Sequence, residues 1–222
     1  MKSSVKNWSL SQIIRSTGIF ALLLVALFSM QSCSKEETSP LETPAYTSLN
    51  SAMRKLWSDH ASWTREVIVN FATNAPGLNE SINRLLKNQE DIGNAIKPYY
   101  GNEAGDALTT LLKEHITTAA EILTAAKAGN TTAQNDAAAR WYANGDQIAT
   151  FLCTANPKNW PLDHMKSHMK DHLDLTLEEA VAELTGNYTA SVAAYDKIYP
   201  QLLHLADLLS EGVALQFPDK FK

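Results

Sequence analysis

The chain has 222 residues, 45% hydrophobic and 19% charged, with 24 Asp and Glu against 19 Lys and Arg for a net charge of −5. That is enough chain for one domain with a full core, and its acidity argues against a nucleic-acid partner, because like charge repels a phosphate backbone. Two cysteines leave no disulfide framework and no zinc-type cysteine pairing.

The first segment is basic (Lys2, Lys6, Arg15) and is followed by an apolar run from Ile19 to Met30, then Gln31, Ser32 and Cys33. The run covers about a dozen residues, whereas a membrane-spanning helix needs about 20. Charged start, short apolar segment, small residue and Cys together predict a lipoprotein leader over residues 1–32, with Cys33 lipidated (palmitate among its acyl chains) as the first mature residue. An uncleaved anchor helix is the alternative. Met30 stands where such sites usually carry Leu. Ser34-Lys35-Glu36-Glu37 resembles the acidic export tag of Bacteroidetes lipoproteins, so the expected place is the cell envelope, on the outer membrane, facing the periplasm or the cell surface. Loss of residues 1–32 removes three basic residues and no acidic ones, taking the charge from −5 to −8. Such a domain is repelled by anionic lipid, so contact with the membrane rests on the acyl chains.

Residues 33–45, polar and carrying Pro40 and Pro44, read as a lipidated tether; residues 46–222 read as the folded domain. Its periodicity is helical throughout. A first helix is expected over Ser48–Thr73 with Leu49, Met53, Leu56, His60, Trp63, Val67 and Phe71 on one face. A short helix near Asn79–Lys87 and another turn or two to Ile96 should follow, ended by Lys97-Pro98-Tyr99-Tyr100-Gly101. Further helices are expected over Glu103–Ala128, Thr132–Thr154, Pro161–Leu184 and Tyr188–Val213, the last with Tyr188, Val192, Tyr195, Tyr199, Leu202, Leu209 and Val213 inward and a kink at Pro200. The fold class is all-α: an antiparallel up-and-down bundle of four to five long helices with a short extra one.

Several polar residues fall on inward faces. His60 lies between Leu56 and Trp63, and His115 between Leu111 and Ala119. His164, His168 and His172 are spaced four apart on one helix, with Glu179 two turns beyond His172. Imidazoles from facing helices with a carboxylate can hold a transition metal ion, so His60, His115, His172 and Glu179 are the candidate metal ligands; hydrogen-bonded core histidines and a wet helix face are the plainer explanations. No His has Glu three residues before it, which excludes a di-iron carboxylate site, and neither His-Glu-x-x-His nor a Gly-rich phosphate loop occurs. Trp63-Thr64-Arg65 and Arg140-Trp141-Tyr142 place Arg beside Trp. Arg65, Trp63 and Trp141, with Asp207 on the last helix, are candidate ligand-binding residues, although Arg stems covering packed Trp rings explain the same pattern. Cys153, in an apolar stretch, reads as a small buried hydrophobe.

Leu56-Trp57-Ser58-Asp59-His60 running into Trp63-Thr64-Arg65, Asn83-Arg84-Leu85-Leu86-Lys87-Asn88, Lys97-Pro98-Tyr99-Tyr100-Gly101, Leu111-Leu112-Lys113-Glu114-His115, Ala126-Lys127-Ala128-Gly129, Trp141-Tyr142-Ala143-Asn144 and Gln216-Phe217-Pro218 together resemble an uncharacterised family of small all-helical bacterial proteins, found in Gram-positive bacteria and in lipoprotein form elsewhere. The resemblance spans nearly the whole mature domain and implies a compact bundle. It carries over no catalytic residue, and the turn Asn156–Trp160 is longer than the family pattern. The expected function is a lipid-anchored binding or structural module for a small molecule or protein. The alternative is a metal-binding protein or metal-dependent enzyme using inward His and carboxylates such as Glu114, Glu179 and Asp207. A third reading has the inward polar residues only setting helix register.

Overall fold

The computed structural model describes residues 39–222; the expected leader, Cys33 and the first part of the tether lie outside them. Six helices follow one another: α1 Pro44–Thr73, α2 Leu78–Tyr100, α3 Asn102–Lys127, α4 Thr131–Ala155, α5 Leu162–Leu184 and α6 Tyr188–Gln216, flanked by single 3-10 turns at Pro40–Glu42 and Pro218–Phe221. Each helix packs on the next, and α6 packs back on α1, so antiparallel rods close into a ring. No strand occurs among the described residues. The all-α bundle expected from periodicity is what forms, with six long helices rather than four or five.

The extra helix is α2, read as two pieces from the sequence. Pro98 lies in its last turn. Proline there forfeits its own bond to the preceding turn, but the Gly101 N–H still donates to the Lys97 carbonyl at 3.0 Å, so the helix runs on to Tyr100 and is capped by Gly101, where φ is 86°. At the other end of the domain, α6 is continuous through Pro200.

Part of the segment expected as a tether is helical, over Pro40–Glu42 and again from Pro44. Thr43 caps α1, its Oγ1 accepting from the Tyr46 N–H at 3.2 Å, and Pro44 occupies the first helical position, where its missing N–H costs nothing. The 3-10 turn ahead of it packs on α6, with Leu41 against the core. Order therefore begins before residue 46.

The inward face of α6 differs at its start. Tyr188 and Val192 are 62% and 50% exposed, and Ser191, Ala194 and Ile198 are buried in their place. Small side chains let α6 approach α1 and α5 closely, and Ser191 bonds to groups on both, as shown below. The long turn Asn156–Trp160 has a purpose as well. It tucks the Trp160 indole beneath α6, where its Nε1–H donates to the Leu208 carbonyl at 3.1 Å. A Cβ on Gly212 would sit 2.1 Å from that nitrogen.

Helices α2 and α3 touch backbone to backbone. A Cβ on Gly105 would lie 2.6 Å from the Gly93 carbonyl oxygen, and one on Gly93 would lie 2.5 Å from that of Gly105. Neither carbonyl can yield without moving its helix. Gly105→Ala is therefore expected to cost about 1–3 kcal/mol, read as a lower urea midpoint with an unchanged slope. Gly77→Ala, where a Cβ meets nothing within 4 Å, should stay within about 0.5 kcal/mol of the parent.

Candidate functional site

Three imidazoles meet inside the ring. His60 on α1, His115 on α3 and His172 on α5 are 2%, 4% and 4% exposed. The ring centroid of His172 lies 5.7 Å from that of His60 and 6.2 Å from that of His115. Trp57 meets His60 edge-on at 5.6 Å, and Trp141 stacks on His115 at 5.1 Å. Helical spacing explains each arrival: every histidine continues an apolar stripe, so the stripe that buries Met53, Leu112 or Met169 buries it too.

An amide decides how His115 is protonated. The Asn144 amide donates to the Leu111 carbonyl at 3.1 Å, leaving its oxygen facing His115 Nδ1 at 3.0 Å. His115 therefore carries its hydrogen on Nδ1, and its Nε2 is a lone-pair acceptor. Gln89 donates to the Leu85 carbonyl at 2.8 Å, and the same nitrogen lies 3.3 Å from His60 Nδ1. The Gln89 amide nitrogen also donates to the Asn88 oxygen at 3.2 Å, so its two hydrogens are shared among three acceptor positions, His60 Nδ1 being the most distant. Asn88 and Gln89, fully buried, brace this side of the site, Asn88 donating to the Leu56 carbonyl.

Burial disfavours the charged form of all three rings. It lowers His60 to about 4, with His115 adding to the fall against smaller opposing bonds from Asn88 and Gln89. It lowers His115 to about 4 against the bond from Asn144. His172 falls well below the usual 6.5 through burial, then through its two neighbours. At neutral pH the layer is three uncharged imidazoles.

An apolar cavity of about 100 Å³ lies next to this layer, walled by residues such as Val67, Ile68, Leu85 and Ile116 and bounded by Trp141 and Thr176. Trp141 is thus shared between cavity and histidines, and Thr176 bonds to the His172 carbonyl at 2.8 Å. Two residues lining the cavity, Thr64 and Trp141, have buried polar atoms (Oγ1 and Nε1) without a hydrogen-bond partner. In the layer itself His172 Nδ1, Gln89 Oε1 and Trp57 Nε1 are likewise buried and unpartnered. Native interiors leave few such groups.

The other residues singled out from sequence are placed differently. Glu179 is bonded by Arg65 Nη1 at 2.5 Å, and Arg65 reaches Glu183 at 3.7 Å and Ser191 Oγ at 3.2 Å. Ser191 in turn donates to Glu183 at 2.5 Å. Burial raises Glu179 to about 7, against the bond and charge of Arg65, with Glu183 adding to the rise. The expected fourth metal ligand is therefore already engaged. Among the described residues no three His, Cys, Asp or Glu side chains are placed to hold a metal ion. Asp207 belongs to a separate network at the α1–α6 seam, bonded by Arg54 at 2.6 Å and Asn50 at 2.9 Å. Burial pulls its acidity down, but those bonds outweigh it and keep the carboxyl below its usual value. Trp63 is half-buried under the Arg84 guanidinium, 5.4 Å from the ring centroid; its sequence neighbour Arg65 is taken up by Glu179 instead. Cys153 is half-buried and free.

Sequence reasoning missed Asn88, Gln89, Thr64, Glu183 and Ser191. The signal was present for two of them: Asn88 and Gln89 sit between Leu85 and Ile92, in phase with the apolar stripe of α2. No protein family, curated protein or solved structure matches the chain.

Proposed function

We propose that this protein is a lipid-tethered binding module of the cell envelope that takes one small, mainly apolar molecule into the cavity beside the histidine layer. One observation carries the reading: an apolar cavity, whose lining residues Trp141 and Thr64 hold unsatisfied buried polar atoms, lies beside the histidine layer with Trp141 and Thr176 between them. Apolar walls supply affinity and a few placed polar groups supply orientation. The ligand that fits has a compact hydrocarbon body, because the walls are almost wholly apolar; a hydrogen-bonding end gains where it reaches through the wall to Trp141 Nε1, a donor, or Thr64 Oγ1, which takes either role.

Tests follow directly. Thermal unfolding of the full chain should shift upward with phenol or benzyl alcohol and less with benzene. Ala119→Leu, which fills the cavity from its wall, should remove the shift while leaving the fold intact. No shift with any of the three at millimolar concentration, or an undiminished shift in Ala119→Leu, contradicts the reading.

The tether is supported by the order of charges, apolar run and Cys33, and no described helix is long and apolar enough to cross a membrane. Cys33→Ser should move the protein out of the membrane fraction, and mass spectrometry of the N-terminal peptide should find acyl groups on Cys33.

A second reading, a transition-metal centre at His60, His115 and His172, is favoured by the ring separations alone. Three imidazoles on a tetrahedral ion at about 2.0–2.1 Å place their centroids about 5 Å apart, close to what is seen. Against it, the donor atoms do not converge on one point among the described residues. Near-stoichiometric metal in purified protein, lost in His60→Gln, would establish it.

A further inference from the structure

A second group of imidazoles lies on the outside of the bundle, where α5 meets α6. His164 and His168 are one turn apart on α5, and His204 comes across from α6. The ring centroid of His168 is 4.7 Å from that of His164 and 5.3 Å from that of His204. His164 and His204 are exposed and His168 is half-buried. These separations bracket the roughly 5 Å expected of imidazoles sharing one tetrahedral ion.

Nothing in core packing requires the arrangement. The apolar neighbours Met165, Met169, Leu202 and Leu205 bury the helix faces on their own, and three rings that can each take a proton repel one another when charged. His168 shows this: burial lowers its proton affinity, His164 and His204 lower it further, and only Asp171 opposes them. Asp207, the carboxylate facing His204, is held by Arg54 and Asn50.

We propose that His164, His168 and His204 form an outward-facing site for one transition-metal dication of the Zn²⁺ or Ni²⁺ class. An i, i+4 histidine pair presents two nitrogens to one side of a helix, and the third donor comes from the neighbouring helix at matching height. As the side chains stand the three do not chelate. His164 and His204 are solvent-exposed, however, and turn between staggered rotamers without disturbing the core. All-nitrogen ligation selects these ions over Mg²⁺ and Ca²⁺, which require oxygen. The site is independent of the cavity and of the buried histidine layer.

The test is calorimetric titration of the full chain in detergent, without a polyhistidine tag, using ZnCl₂, NiCl₂ and MgCl₂. One Zn²⁺ or Ni²⁺ should bind per chain and Mg²⁺ should not. His168→Ala and His204→Ala should each weaken binding at least tenfold, with circular dichroism unchanged because neither side chain is in the core. No binding up to 1 mM, or equal affinity in the parent and in His164→Ala/His204→Ala, overturns the proposal. Binding that survives in that double variant but is lost in His60→Gln assigns the metal to the buried layer instead.

Discussion

Arg65→Ala is expected to cost about 3–5 kcal/mol of unfolding free energy at pH 8, because it strips the partner from buried carboxylates. The Glu179 and Glu183 side chains are 1% and 4% exposed, whereas that of Arg65 is 26% exposed. The guanidinium therefore faces both acids and water, and it also lies over the Tyr195 ring, whose centroid is 4.9 Å from the guanidinium carbon. Ser191 supplies one further bond to Glu183, which does not replace a positive charge. The loss should also depend on pH. Glu179 sits at about 7 in the folded protein against an ordinary 4.5. A carboxyl raised on folding is protonated more in the folded state, so stability declines as pH climbs from 4.5 through 7. Removing Arg65 deletes the main influence holding that value down. The variant should thus lie closer to the parent at pH 5.5, where Glu179 is neutral, than at pH 8. Adding Glu179→Gln to Arg65→Ala should recover part of the deficit at pH 8. Urea unfolding at the two pH values measures all of this, and an equal deficit at both would show that the pair is not the cause.

The histidine layer should make the protein acid-labile, with the opposite sign. His60 and His115 sit at about 4 in the folded state against the usual 6.5, and His172 is lowered as well. A histidine lowered on folding binds its proton in the unfolded chain first, so stability is complete above 6.5 and drains away as pH falls toward 4. Between pH 5 and 6, unfolding should take up about one proton at each of the three and release about one from Glu179. His168, lowered too, adds to the uptake. Three taken up against one released leaves a net uptake of about two protons, which corresponds to about 3 kcal/mol lost per pH unit. Unfolding free energies from urea titrations across pH 5–7 give this number directly. His115→Gln should lower the uptake by about one proton. A pH-independent midpoint across this range would mean the imidazoles are not buried as described.

Much of this architecture is written in local spacing. Apolar residues three and four apart mark helices whose ends fall within two residues of expectation for α3, α4 and α5. The same phase puts His60, His115, Trp141 and Asn144 inside, since a residue on a stripe shares its burial whatever its chemistry. The errors have local causes as well. Pro98 is harmless in a last turn, Thr43 and Pro44 form a helix start inside what reads as a tether, and Ser191 and Ala194 displace larger residues because small ones allow close approach.

What helical periodicity cannot convey is which inward groups meet. It sets the angle of a side chain around its own axis but not the height or rotation of one rod against the next. Those depend on distant contacts, such as the Gly93–Gly105 touch between α2 and α3. Pairing of His60 with Gln89 and of His115 with Asn144, each across 29 residues of chain, follows only once the ring closes. So does the capture of Glu179 by Arg65 across 114 residues, which turns an expected metal ligand into half of an ion pair. Burial was a property of each helix; partnership was a property of the assembled ring, because hydrogen bonds and charges act over a few ångströms that no single helix spans.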